Sequence, residues 1–281
     1  MKKKWFAAAL AGTLLAVLLL NGCASAQTAK RLRFGVAGEG GVYHAFGELY
    51  AALENETDNG TVELKTTAGS AANLRLLTGE YLQLAIAQGD LAQDAYDQTG
   101  IFADEEETRG FGAVAALYTE ACQIVVRADA DIQSVEDLQG KTVSIGAEES
   151  GSEQNALQIL AAYGLNDKLV DTVNLNYEDA AAQLKAGKVD AIFITAGAPS
   201  PVLTELAGEC GIRLLNVDGA AAQRLTSAYS AYSAVTLPAG TYPGQDTDVQ
   251  TVGVKAVLLA SDELPAKQVQ KLTELLFSGR E

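Results

Sequence analysis

The chain has 281 residues, 48% hydrophobic and 20% charged, and its 36 Asp and Glu outnumber its 20 Lys and Arg, for a formal net charge of −16. This length and hydrophobic content suffice for one large or two medium domains with their own cores, and they exclude a disordered chain. The negative charge argues against nucleic acid as a partner, because a phosphate backbone is bound through clustered Lys and Arg. The single histidine, His44, excludes any site that needs two imidazoles.

The amino terminus predicts an export signal. Three lysines at positions 2–4 precede an apolar stretch at residues 5–20, which is too short to cross a membrane comfortably. The stretch ends in Leu-Asn-Gly-Cys at residues 20–23, which resembles a bacterial lipobox. We therefore predict that Cys23 is lipidated and becomes the first residue of the mature protein. An ordinary signal peptide, cut near Ala26, is the alternative.

Two further features depend on that cleavage. With the three lysines of residues 1–22 removed, the net charge changes from −16 to −19. Lipidation of Cys23 would leave Cys122 and Cys210, which show neither a C-x-x-C pair nor metal-ligand spacing. Each sits beside a strand-like run, at residues 122–126 and 210–215, so we predict two separate buried thiols. A disulfide in an oxidising compartment is the alternative.

Residues 31–88 read as the repeating unit of a parallel sheet, in the order strand, loop, helix, strand, helix, strand. The predicted strands are residues 31–37, 62–67 and 82–88, and the predicted helices are residues 43–54 and 71–78.

The same order recurs in the second half of the chain. The predicted strands are residues 141–146, 170–175 and 189–195, and the predicted helices are residues 153–163 and 178–186. The spacing from Gly38 to Gly79 equals that from Gly146 to Gly187, 41 residues, and the offset between the halves is 108. Sequence identity between the halves is low, so the common order and spacing carry the prediction of two similar α/β lobes.

Extended segments connect the two halves. Residues 113–118 and 123–127 are two apolar strand-like pieces that would carry the chain from one lobe to the other, and residues 251–260 predict a second crossing. An amphipathic helix at residues 265–277 closes the chain. Two lobes joined by two extended hinge strands form a hinged cleft.

These patterns divide the chain into four parts. We predict a lipoprotein signal peptide at residues 1–22, a tether at residues 23–30, lobe one at residues 31–117 with about 250–281, and lobe two at about 118–249.

Each predicted lobe has a loop suited to an anion. Such a loop opens a helix just past the carboxyl end of a strand, so it presents unpaired N–H groups and the positive end of the helix dipole. In lobe one the donors would come from residues 40–43, and in lobe two from residues 150–152. Helix capping is the alternative, because Ser150 and Glu153 form a capping box and Ser70 is a plausible N-cap.

Other chemistry fits the sequence less well. Gly38, Gly40 and Tyr43 approach a dinucleotide fingerprint, but tyrosine replaces its third glycine. The acidic run at residues 104–107 lacks a calcium-binding loop and is typical of a solvated loop. No nucleophile motif accompanies His44. We predict no catalytic residue, no metal site and no cofactor.

Two groups of side chains leave alternatives open. Arg75 could meet a ligand carboxylate or form a surface ion pair. Tyr229, Tyr232 and Tyr242 belong to an aromatic, loop-rich region that could line the cleft or pack between the lobes.

Six segments in order resemble the TAXI family, the extracytoplasmic solute-binding subunits of tripartite ATP-independent periplasmic (TRAP) transporters. The segments are residues 40–43, 67–77, 116–120, 143–146, 150–152 and 238–245. The likeness spans about residues 31–277. It implies the α/β fold of class II periplasmic binding proteins, closing over glutamate, glutamine or a related dicarboxylate. It also implies a membrane permease, driven by an ion gradient, that receives the ligand.

The resemblance also implies which residues line the cleft. They are Gly40, Gly41, Val42, Tyr43, Ser70, Asn73, Gln88, Tyr118, Ser150, Gly151 and Ser152. The chain departs from the family at Glu39, Glu148 and Glu149, where neutral residues are usual. Carboxylates beside an anion site repel the ligand unless they point away or bind an ammonium group.

The sequence therefore predicts a lipid-anchored, extracytoplasmic binding protein, in the periplasm or on the outer face of the cell membrane. Its predicted partners are a small anionic or zwitterionic solute and TRAP membrane subunits, with membrane contact through the lipid alone and none with nucleic acid. One alternative is a ligand-sensing lipoprotein of a signalling system with the same fold. A remote alternative is a secreted acid/base enzyme that uses Glu39 and Glu148.

Overall fold

The computed structural model describes residues 31–57 and 62–277. The predictions for the signal peptide, the lipidated Cys23 and the tether fall outside these residues.

The first half of the chain forms three parallel strands with helices between them. In chain order the elements are β1 (Leu32–Gly35), α1 (Val42–Thr57), β2 (Val62–Lys65), α2 (Ser70–Thr78), β3 (Leu84–Gln88) and α3 (Gly89–Asp97). Strand β1 lies between β2 and β3 and is parallel to both. Every residue of β3 is buried, as expected for a strand covered on both faces.

A single long strand, β4 (Phe111–Arg127), follows. The prediction of two separate pieces at residues 113–118 and 123–127 was wrong. The intervening polar residues Thr119 and Glu120 stay in the strand because their partners on a neighbouring strand, Lys255 and Val254, continue the ladder.

The second half repeats the first. Its elements are β5 (Thr142–Ser144), α4 (Gly151–Ala162), β6 (Asp171–Val173), α5 (Tyr177–Lys185), β7 (Ala191–Ala196), α6 (Pro201–Glu209), β8 (Ile212–Leu215), α7 (Gly219–Ala228) and β9 (Ser233–Leu237). Strand β5 lies between β6 and β7 and is parallel to both, as β1 lies between β2 and β3. The repeated unit predicted from the spacing is present.

The chain returns through β10 (Val249–Ser261) and ends the described part with α8 (Ala266–Phe277). Strands β4 and β10 pair with each other and with both halves: β10 also pairs with β3 and β9, and β4 also pairs with β7 and β8. The sheet order is β2-β1-β3-β10-β4-β7-β5-β6. This is the predicted α/β fold, with two lobes joined by two extended strands.

Buried side chains cover both faces of each half of the sheet. Tyr232 and Tyr242 each belong to one of the two hydrophobic clusters of the second half. They therefore pack inside the protein and do not line a cleft. Cys122 and Cys210 are separate free thiols, as predicted, although Cys210 is only half-buried. Of the helices in the described residues, none is long and apolar enough to span a bilayer.

Candidate functional site

A cavity of about 250 Å³ lies where four helices begin. Residues at the starts of α1, α2, α4 and α5 line it, two helices from each half of the chain. Each of these helices follows a strand of a parallel unit, so the repeat brings four helix amino termini to one place.

The lining side chains include no Lys, Arg or His. The groups that can attract an anion here are therefore those of the backbone, because the first N–H groups of a helix have no partner within it and the helix dipole adds to their charge. Such an arrangement can hold a carboxylate or another oxyanion without a cationic side chain.

Most of the residues that the resemblance assigned to the cleft lie at this cavity. The lining includes Gly41, Val42, Tyr43, Ser70, Gln88, Ser150, Gly151 and Ser152. Gly40, Asn73 and Tyr118 are not among the lining residues. Gly40 has a φ of 56°, and the carboxylate of Glu178 lies against the position where its Cβ would be.

Asn73 and Tyr118 have partners away from the cavity lining. Asn73 has no exposed surface, and its amide donates to the carbonyl of Ile86 at 2.8 Å and accepts from the Thr67 hydroxyl at 2.7 Å. These bonds hold α2 against the sheet. The ring of Tyr118 lies beside Gly197.

The three serines have different partners. Ser70 is the first residue of α2 and not its N-cap, because Gly69 occupies that place; the Ser70 hydroxyl accepts from the Gln88 N–H at 3.1 Å. Ser150 caps α4 by accepting from the Glu153 N–H at 3.1 Å. The Ser152 hydroxyl accepts from the Thr195 N–H at 3.0 Å and lies 2.7 Å from the Tyr177 hydroxyl, so it joins α4 to β7 and α5.

The start of α5 also lines the cavity, although it is not among the site residues predicted from the sequence. Asn176, Tyr177 and Glu178 line the cavity, and the Asn176 side chain accepts from the Asp179 N–H at 2.8 Å. The offset of 108 places Ser70 on Glu178, so the repeat itself contained the signal. It was overlooked because α5 begins with no Gly- or Ser-rich loop.

Three carboxyl groups line the cavity: Glu39, Glu120 and Glu178. Glu39 and Glu178 are exposed, on opposite halves of the chain. Glu120 is 3% exposed and accepts a hydrogen bond from the Tyr43 hydroxyl at 2.6 Å. Burial raises the pKa of the Glu120 carboxyl to about 8.

The two halves touch beside the cavity. The Ala72 N–H donates to the Glu149 carbonyl at 3.2 Å, and Arg75 Nη1 lies 3.0 Å from Glu149 Oε1. Arg75 Nη2 also lies 2.8 Å from Glu105 Oε1. Arg75 is not among the lining residues, so it forms ion pairs and does not face the cavity.

A second contact between the halves lies deeper. Asn155 of α4 donates from Nδ2 to Asp90 Oδ2 of α3 at 3.2 Å and to the Tyr232 hydroxyl at 2.7 Å. Burial raises the pKa of Asp90 to about 6. Within the described ranges, no three His, Cys, Asp or Glu side chains are grouped so as to hold a metal ion.

Solved structures of low sequence identity share this fold. A binding protein component of an ABC phosphonate transporter from Pseudomonas aeruginosa matches with a TM-score of 0.56 at 13% identity, over 90% of this chain and 76% of that one. An ancestral arginine-binding protein bound to arginine matches with a TM-score of 0.55 at 17% identity, over 88% of this chain and 91% of that one. The alkanesulfonate-binding protein SsuA from Xanthomonas axonopodis pv. citri, bound to MOPS, matches with a TM-score of 0.52 at 18% identity, over 90% of this chain and 71% of that one. The fold is therefore that of the periplasmic solute-binding proteins.

The family is shown by the sequence itself. Residues 34–281 match the NMT1-like family, which covers almost all of the chain beyond the predicted tether. The chain belongs to that family.

Proposed function

We propose that this protein is an extracytoplasmic solute-binding receptor that captures a small carboxylate-bearing metabolite. The observation that carries the proposal is the cavity between the two halves, at which four helix amino termini meet without a cationic side chain. The fold supports it, because ligands of α/β sheets bind beyond the carboxyl ends of the strands. The protein is proposed to bind its solute and not to transform it.

The carboxylates at the cavity narrow the proposed ligand class. Glu39 and Glu178 would repel the second acid group of a dicarboxylate, whereas an ammonium group would balance them. Among glutamate, glutamine and related dicarboxylates, the site therefore favours glutamine, which has one carboxylate and one ammonium group. The structural neighbours include proteins described with arginine and with an alkanesulfonate, and both compounds carry an anionic group.

The proposed mechanism is a shift between open and closed forms. Ligand contacts with both halves favour the closed form only insofar as the closed form binds the ligand more tightly. We propose that the lobes comprise residues 31–117 with about 250–281, and about 118–249, and that β4 and β10 act as the hinge.

Two experiments test the proposed function. Native mass spectrometry of freshly purified protein should detect a small molecule that copurifies with it. In a thermal-shift panel of amino acids, dicarboxylates and sulfonates, at least one compound should then raise the melting temperature of the protein, because a ligand that binds only the folded state stabilises it. No stabilisation by any anionic or zwitterionic compound would contradict the proposal.

We further propose that the receptor serves a TRAP-type permease, on the strength of the six sequence segments. Uptake of the ligand by cells that contain the receptor and its permease should then collapse when the ion gradient is dissipated. Uptake that instead stops when ATP is depleted while the gradient is maintained would assign the receptor to an ABC transporter, the class of the phosphonate-transporter neighbour.

We propose that the lipid anchor is attached to the thiol of Cys23. Cys23→Ser should release the protein from the membrane fraction into the soluble extracytoplasmic fraction, because the variant lacks the thiol that would carry the lipid. Fractionation and immunoblotting measure this, with Cys210→Ser as the matched control. Membrane retention of a Cys23 variant from which residues 1–22 have been cleaved would contradict a lipid anchor at this residue.

The ion pair between the halves is expected to contribute little to affinity. Glu149→Gln removes the Arg75 partner, and both side chains are partly exposed, so the ligand dissociation constant should rise by at most about fivefold. The difference should disappear at high salt, because the pair is screened. Isothermal titration calorimetry measures both, with Arg109→Gln as a control, since Arg109 contacts Tyr96 away from the cavity. A salt-independent loss of affinity would show that Glu149 acts other than through its charge.

A further inference from the structure

Glu120 is a buried acid on the hinge strand β4. Its side chain lines the cavity and is 3% exposed, and the hydrogen bond from the Tyr43 hydroxyl reaches its Oε2 atom. Among the ion pairs found in the described residues, none involves Glu120. A charged carboxylate in this place would therefore lack both a cation and free access to water, which disfavours ionisation.

The partners of Glu120 fix its orientation. The single proton of the Tyr43 hydroxyl is donated to Glu120, and the Tyr43 oxygen contacts the Ser70 hydroxyl, whose oxygen in turn accepts from the Gln88 N–H. Tyr43 begins α1, Ser70 begins α2, and Gln88 ends β3. Because Tyr43 occupies Oε2, a proton on the carboxyl group would be carried by the other oxygen, Oε1.

The other titratable groups near Glu120 lie on several elements. Tyr118 and Cys122 share its strand, Tyr177 begins α5, and Asp90 lies on α3. Burial raises the pKa of the Tyr118 and Tyr177 hydroxyls well above 10 and that of the Cys122 thiol to about 12, so these three stay neutral at pH 9. Asp90, whose pKa is raised to about 6, is ionised near neutral pH and adds negative charge near Glu120.

We infer that Glu120 is a specificity-determining residue that binds the anionic group of the ligand as a neutral carboxylic acid, donating the proton of Oε1 to it. This inference rests on the proposed function, since it assumes a ligand with an anionic group at the helix amino termini. The neutral acid adds a donor to a cavity that lacks Lys and Arg, and it excludes ligands that would need a carboxylate there.

The inference fixes the direction of a pH dependence. The pKa of Glu120 is raised by burial to about 8, so the neutral, binding-competent form dominates below that pH and is lost as the pH rises through it. A bound anion raises this pKa further, so binding above pH 8 takes up a proton. A ligand whose ammonium group met an ionised Glu120 would show the opposite trend, with affinity rising through the same pH range.

Isothermal titration calorimetry with L-glutamine as the probe tests this. The dissociation constant of the wild-type protein should rise by about tenfold from pH 7 to pH 9, as expected for one group with a pKa near 8. Glu120→Gln keeps a neutral donor that cannot ionise, so its dissociation constant should lack the Glu120 part of the rise between pH 7 and pH 9. Titration of the probe's own amine affects both proteins and is removed by the comparison.

Two further measurements keep the inference falsifiable. Titrations in buffers of different ionisation enthalpy should show more proton uptake by the wild-type protein than by Glu120→Gln at pH 8.5, because the uptake by the probe's own amine is common to both. Asp90→Asn should move the wild-type midpoint to lower pH, because it removes a negative charge near Glu120 while keeping a side chain that can bond Asn155. Equal pH profiles for wild type and Glu120→Gln would overturn the inference and leave the proposed function standing. If neither protein binds any compound of the thermal-shift panel, the proposed function fails and this inference fails with it.

Discussion

Gly151→Ala is expected to weaken ligand binding by about tenfold or more while the protein still folds. Gly151 is the first residue of α4, and a Cβ atom there would collide with the side-chain amide of Gln88, at the end of β3 in the other half. Gln88 also lines the cavity, so its side chain can avoid the new Cβ atom only by turning into the space that the ligand would occupy. Overpacking of this kind costs about 1–3 kcal/mol. Here it opposes the close contact between the two halves.

The matched control is Gly208→Ala. Gly208 lies within α6, and an added Cβ meets nothing within 4 Å, so affinity should be unchanged and stability unchanged or slightly raised. Calorimetry measures the affinities, and circular dichroism confirms that both variants fold. Wild-type affinity in Gly151→Ala would show that the ligand-bound protein does not need this close approach.

Asn73→Ala is expected to lower the free energy of unfolding by about 2–3 kcal/mol, one of the larger losses for a single buried polar side chain. Asn73 is completely buried, and its removal leaves the Ile86 carbonyl and the Thr67 hydroxyl without their partner. Urea denaturation followed by circular dichroism measures the loss. Because Asn73 does not line the cavity, affinity measured well below the melting temperature should change far less than stability.

Asn166→Ala is the control for this substitution. Asn166 is exposed, and its side chain accepts a single local bond from the Lys168 N–H at 3.0 Å, so its removal should cost about 0.5 kcal/mol or less. If Asn73→Ala abolished binding at unchanged stability, Asn73 would be a ligand residue, as the family resemblance implied, and not a support of α2.

Much of the fold was accessible from the sequence because the signals were local or periodic. The apolar run of β3 predicts a strand buried on both faces, and the equal spacing from Gly38 to Gly79 and from Gly146 to Gly187 predicts two similar units. Where the sequence misled, the cause was tertiary. The polar residues Thr119 and Glu120 interrupt the apolar pattern, yet β4 continues through them because β10 supplies their backbone hydrogen bonds.

The candidate site was accessible to a smaller extent. Loops rich in glycine and serine marked the starts of α1, α2 and α4, because these residues permit tight turns and cap helices. The start of α5 has no such composition, and its Tyr177 and Glu178 reach the cavity only because α5 holds the same place in its half as α2. Glu120 belongs to the segment at residues 116–120 that resembles the TAXI family, but the residues next to it in the sequence do not indicate that it is buried.

The sequence by itself determined the charge balance, the export signal as a prediction, the order of strands and helices, and the repeat that places helix starts at one edge of the sheet. Only the tertiary structure decided which side chains face the cavity. It turned Asn73 into a support of α2, paired Arg75 with Glu105 and Glu149, and enclosed Glu120 beside Tyr43. The physical reason is that periodicity follows from hydrogen bonds and burial along one element, whereas the direction and ionisation of a side chain depend on neighbours that are distant in the chain.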